Sequence, residues 1–318
     1  MSQSIEADRL IARDKRAIGR AISLCEDARP ESAAARAGLV AALATHPRRR
    51  RARLFGVTGP PGSGKSTLIA EVALRVLERR PEAAVAVLAV DPSSPISGGA
   101  LLGDRVRVRF PPGESRLFFR SQASELELGG LGRHTFPVCR LLQHLFDCLL
   151  VETVGVGQSE VDIRRLVDRT YLVLPPHWGD AVQLMKAGIL EIPDAVVSSK
   201  QDLEPGSGAA GGAGLATALA RLGRPLAVHR VSAHTGSGLE PLVTEVASCL
   251  AEPGSAGAPL DAREGYFFGR WVLGEFGRRG VAALSDRGLD PDRFVSEAGG
   301  FDKAVVAFSS SYRGWLCD

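Results

Sequence analysis

The stretch Leu54-Phe55-Gly56-Val57-Thr58-Gly59-Pro60-Pro61-Gly62-Ser63-Gly64-Lys65-Ser66-Thr67 decides the fold of this chain. Leu54–Thr58 has the length and apolar character of a buried strand, Gly59 to Ser66 satisfies GxxxxGK[ST] in full, and a helical run follows from Thr67 to Arg79. Glycines at these positions let successive backbone N–H groups turn inward around phosphate oxygens. The N-terminus of the following helix adds a positive dipole. Gly59, Pro60, Pro61, Gly62, Ser63, Gly64 and Thr67 would form the cradle, Lys65 would reach the β and γ phosphates, and the Ser66 hydroxyl would ligate Mg²⁺.

Downstream of this segment, apolar runs of strand length alternate with longer helix-like stretches: Ala84–Val90, Cys148–Val151, Thr170–Leu174, Ala195–Ser198 and Leu226–Val231. Unbroken apolar strands separated by helices indicate a mostly parallel sheet covered on both faces, the α/β class. Residues 6–27 and 33–44 read as helices, with Pro30 breaking the pattern between them. The organisation expected is an N-terminal helical segment (1–50), a P-loop domain (51–251) and a C-terminal helical extension (252–318). Small-residue stretches at Glu204–Gly214 and Glu252–Pro259 read as flexible loops. The tail concentrates aromatic residues from Tyr266 to Trp315, which suggests an element that packs on the body or on another subunit.

Composition narrows the function. The 318 residues are 45% hydrophobic and 24% charged, as in a globular protein with a full core, and the formal charge is only +3. That balance points away from nucleic acid. Part of the excess sits in Arg48–Arg51 and Arg53, read as a solvated linker, with an acidic partner as the lesser alternative. Five scattered cysteines without CxxC suggest reduced thiols. The charged N-terminus and the lack of a run near the roughly 18 apolar residues of a membrane span lead to the expectation of a soluble, cytoplasmic protein with no membrane partner.

Further candidates follow from strand ends. Glu152 closes the Cys148–Val151 run three residues before Gly155, the logic of a carboxylate completing a magnesium shell beside a glycine that senses the γ-phosphate. Asp91 and Asp104 lie on the loop side of a strand, where open α/β sheets bind ligands, although helix capping explains either one taken singly. Ser199-Lys200-Gln201-Asp202 resembles the guanine-reading NKxD motif: Asp202 can accept from guanine N1–H and its exocyclic amine, and Lys200 can lay its stem over the base. Ser232 and Ala233 end the next strand, where a backbone contact to the guanine oxygen belongs. GTP is therefore expected over ATP. Ser199 stands where asparagine is usual and is too short for all of that side chain's links to base and P-loop, so reduced affinity is expected. Val156, after Gly155, cannot orient water, and Gln158 is displaced; hydrolysis is expected to be slow until a partner orders this region.

GVTGPPGSGKSTL, LAVDPSSPISGGALLGD, VETVGVGQSEVDI and the GD..Q..KAGILEIPD stretch resemble the methylmalonyl-CoA mutase-associated GTPase family, from about Asp14 through Leu239. The resemblance implies a GTPase of the class that contains signal-recognition-particle and metallochaperone GTPases. Such a protein gates cofactor loading of an adenosylcobalamin-dependent acyl-CoA mutase and protects it. The resemblance further implies Mg²⁺ near Ser66, Asp104 and Glu152 with Asp91 nearby, switches at Val154–Glu160 and at His177–Gly188 (including Asp180, Gln183 and Lys186), and a homodimer joined through C-terminal segments. The chain departs from the family at Ser124–Gly130, which lacks the usual Arg, and at Ala181, usually acidic. Readings from other classes are a metallochaperone GTPase, a P-loop kinase or ATPase, and a weakly hydrolysing scaffold.

Overall fold

Strands β1 (Arg53–Thr58), β2 (Val85–Asp91), β3 (Leu117–Ala123), β4 (Cys148–Glu152), β5 (Arg169–Leu174), β6 (Ala195–Ser198) and β7 (Ala227–Arg230) form one sheet in the order β3-β2-β4-β1-β5-β6-β7. Every pairing is parallel. The computed structural model describes residues 3–91, 113–123, 131–153, 159–175, 193–203, 226–251 and 260–315. Asp104, Gly155, Gln158, Lys186, Val156, Ser124–Gly130, His177–Gly188 and both expected flexible loops lie outside the described residues.

The chain divides into two compact units, 53–132 with 146–257 and 1–52 with 133–145 and 258–318. The first holds the sheet. Helix α4 (Lys65–Arg79) buries Leu68, Ile69, Val72, Ala73, Val76 and Leu77, spacings that line one helical face. They meet Phe55, Val57, Leu150 and Val173 from the strands, together with Leu242 and Val246 of α7 (Leu239–Ala251). Helix α6 (Ser159–Leu166) approaches β1 closely at Gly56, where a Cβ would stand 2.5 Å from Ile163 Cγ1.

The second unit brings together α1 (Gln3–Ile11), α2 (Lys15–Cys25), α3 (Pro30–Thr45), α5 (Thr135–Leu142), α8 (Glu264–Ser285), α9 (Pro291–Ala298) and α10 (Phe301–Trp315). Its tail aromatics pack largely on one another: Phe268 stacks on Phe294, and Phe308 meets Phe276, Tyr312 and Trp315. Phe136 of α5 stacks on Phe267 at 4.3 Å and meets Phe301 edge-on. At the centre lies a buried ionic network. Arg140 donates at 2.6 Å to Asp302 Oδ2 and lies 2.6 Å from Glu264 Oε1, and Arg36 donates to Asp302 Oδ1. Charges this deeply desolvated are tolerable only because each has partners.

Two elements differ from the sequence reading. The expected helix over 6–27 is two helices, because Arg13 adopts φ 58° and Asp14 caps α2 by accepting from the Arg16 and Ala17 N–H groups. Strand β3 is absent from the sequence reading because it lies at the sheet edge and fully buries only Leu117 and Gln122 of LFFRSQA, so its pattern lacks an unbroken apolar run. Pro30 opens α3 at its first turn, a position where proline costs no hydrogen bond.

Candidate nucleotide site

The candidate site is built at the carboxyl end of β1, between β4 on one side and β5 on the other. Gly59 leaves the strand at φ 143°, and a Cβ there would stand 2.1 Å from the Val173 carbonyl oxygen, so only glycine lets the loop begin this close to β5. Gly64 caps α4 at φ 88° in the left-handed region, which aims the first turn of the helix into the loop. Pro60 and Ser63 close the turn through a Ser63 N–H to Pro60 O bond of 3.2 Å.

Lys65 is buried and its Nζ donates to Gly59 O at 2.8 Å and Pro60 O at 2.9 Å, which places the ammonium across the loop. One residue on, the Ser66 hydroxyl donates to Glu152 Oε1 at 2.8 Å. Glu152 ends β4 in register with Val57 and Ala89, and the following Thr153 N–H donates to Val57 O. The strand pairing therefore delivers the carboxylate to the first turn of α4. Two hard oxygen donors brought together beside a lysine fit Mg²⁺, which favours carboxylate and hydroxyl oxygen. The hydroxyls of Thr58, Ser63 and Thr153 are buried here without a hydrogen-bond partner among the described residues. Sequence reasoning missed Thr58 and Thr153; a polar residue closing an otherwise apolar strand was the available signal.

Asp91 is buried at the end of β2 and accepts from the Ser121 hydroxyl of β3 at 2.9 Å. Ser121 was invisible to the sequence reading because its strand was.

The candidate base-reading residues converge from β6 and β7. Ser199 is buried, and its hydroxyl donates to Ser63 O at 2.7 Å with a longer approach to Leu174 O at 3.2 Å. The shorter side chain thus keeps the tie to the P-loop, which sharpens the expectation of lost links. A hydroxyl has one hydrogen, and this one is engaged by the main chain, so it is not free to donate to a base. Lys200 adopts φ 54° and its Cε stands 3.8 Å from where a Gly64 Cβ would be, so its stem lies beside the P-loop. Asp202 is exposed and accepts from the Ser232 hydroxyl at 2.5 Å; that donor holds its carboxyl below the usual range, and the group stays an ionised acceptor. Gln201 N–H donates to Val231 O and Val231 N–H to Ser198 O, so the segment bearing Asp202 and the one bearing Ser232 and Ala233 are laced together.

A glycine-rich loop that closes the central strand of a parallel sheet, with a lysine and a serine at the head of the next helix, defines a P-loop nucleotide-binding protein. The family described as Methylmalonyl Co-A mutase-associated GTPase MeaB matches residues 18–265. The chain belongs to that family. A protein of Pyrococcus horikoshii is 43% identical over 198 residues, 62% of this chain and 60% of its own length. GTPase ArgK of Escherichia coli is 39% identical over 149 residues, 46% of this chain and 44% of its own. The chain thus spans less than two thirds of the curated relatives it matches. A LAO/AO transport system kinase of known structure superposes with a TM-score of 0.60 at 24% identity, covering 99% of this chain and 95% of that one, a likeness of fold. Among the described residues, no helix is long and apolar enough to cross a membrane.

Proposed function

We propose that this chain binds GTP with Mg²⁺, hydrolyses it slowly, and acts as the GTP-dependent chaperone of an adenosylcobalamin-dependent acyl-CoA mutase, gating cofactor loading as part of a homodimer. The observation that carries the nucleotide reading is the 2.8 Å approach of Ser66 Oγ to Glu152 directly beside Lys65. Ser66 and Glu152 would hold Mg²⁺, with Asp104 as the further ligand the family resemblance implies, and the ion would neutralise phosphate charge. Lys65 exchanges its two carbonyl acceptors for the β and γ phosphate oxygens, and the P-loop N–H groups surround the chain of phosphates. Asp202, ionised and presented by Ser232, accepts from guanine N1–H and its amine; adenine offers no such pair. The mutase link rests on the family to which the chain belongs.

Nucleotide competition tests the base reading: GTP and GDP are expected to bind far more tightly than ATP, and equal affinity would remove it. Co-purification tests the partner: a cobalamin-dependent mutase should be retained on the GTP-loaded protein, and turnover should rise in its presence. Rapid turnover unaffected by the mutase would overturn the chaperone reading.

A further inference from the structure

The second helical unit contains a cavity of about 430 Å³, within the range of roughly 300–1,000 Å³ typical of small-molecule sites. Its lining is divided. Val40, Ala41 and Leu260 supply an apolar wall, while Arg49, Arg51 and Lys303 supply three exposed cations. No ion pair forms on those three among the described residues. The one acidic residue of the lining, Asp302, is already held by Arg36 and Arg140. Arg140 also lines the cavity, and its Nε–H is buried without an acceptor although both terminal nitrogens are engaged.

The two arginines are held in place by the main chain. Arg50 N–H donates to His144 O at 2.8 Å and Ala52 N–H to Gln143 O at 2.9 Å, which fixes the segment against the end of α5 and leaves Arg49 and Arg51 on the cavity wall. The basic run thus has a defined place in the fold.

We infer that this cavity binds a small organic phosphate monoester carrying an apolar group. Three uncompensated cations match a dianion better than a single carboxylate does. The guanidinium forks of Arg49 and Arg51 suit phosphate oxygens. The apolar wall takes the organic part. This site is separate from the P-loop and does not depend on the GTPase reading.

Calorimetric titration of the full chain with octyl phosphate tests it, in the wild-type protein and in Lys65→Ala, where binding at the P-loop is removed. One site is expected in both, tighter for octyl phosphate than for inorganic phosphate. Arg49→Ala with Arg51→Ala should weaken it about tenfold or more, while Arg293→Ala, an exposed arginine of α9, should leave it unchanged. Both altered arginines are exposed, and circular dichroism checks that the double variant keeps its helices. Absence of binding in Lys65→Ala, equal affinity for inorganic phosphate, or equal loss in Arg293→Ala would overturn the proposal. So would retention only on vesicles containing phosphatidic acid, because that result assigns the charge to a membrane surface.

Discussion

The hydroxyl of Ser199 donates to the carbonyl of Ser63 at 2.7 Å, which ties the end of β6 to the P-loop across 136 residues of sequence. Ser199→Ala would leave a buried carbonyl without that donor, at a cost of about 1–3 kcal/mol. A lower melting temperature and weaker binding of GDP and GTP alike are expected in thermal shift with and without nucleotide. Ser199→Asn provides two N–H donors, one for Ser63 O and one for the base, so guanine affinity should rise by about fivefold, the worth of one net hydrogen bond of about 1 kcal/mol. Fluorescent-nucleotide titration reads this directly.

Gly59→Ala is the severest small change available in the loop. Its methyl would meet the Val173 carbonyl at 2.1 Å in a backbone conformation disfavoured for alanine. Strain of about 1–3 kcal/mol is expected before the clash is counted. The variant should melt earlier and lose nucleotide-induced stabilisation, whereas Lys65→Ala should keep its fold and lose only the latter.

Arg140 is shared by two buried carboxylates of the helical unit. Arg140→Met would leave Glu264 and Asp302 short of a partner, a loss of about 3–5 kcal/mol for a broken buried pair. Urea unfolding followed by near-ultraviolet dichroism of the aromatic cluster should show this unit unfolding at lower denaturant, with the sheet unit less affected.

Acid should act in part through caps such as Asp14. The Arg9 side chain and then the Ala17 N–H hold its carboxyl at about 2, below the ordinary 3.8. A depressed carboxylate contributes stability that is present above 3.8 and is lost as pH falls through about 2. Asp14→Asn should therefore flatten the dependence of helical content between pH 4 and 2. An unchanged acid limb would show that this cap contributes nothing.

Burial keeps Cys25, Cys139 and Cys148 protonated, with Cys25 pushed up to about 12. Among the four described cysteines, iodoacetamide at neutral pH should modify the half-buried Cys249 first, as read by mass spectrometry. Rapid modification of Cys148 in the native protein would contradict its place in the sheet.

The strands that hold the site were legible because β1, β2 and β4 are buried on both faces and read as unbroken apolar runs. The P-loop was legible because its chemistry is local. What escaped depends on distant neighbours. Leu117–Ala123 becomes a strand through pairing with β2, and no local period marks it. Arg13 and Asp14 break a helix through a backbone turn that the apolar spacing of α1 and α2 hides. The Ser199 bond to the Ser63 carbonyl also escaped, because side-chain length says nothing of how near that carbonyl comes.

Arg36 and Asp302 are separated by 266 residues. At roughly 5–20 residues per second of synthesis, the arginine leaves the ribosome on the order of tens of seconds before its counter-ion exists. During that interval the amino-terminal helices have no way to bury the guanidinium. They must wait hydrated, or in the care of another protein, and their final packing follows the emergence of the helix that carries Asp302.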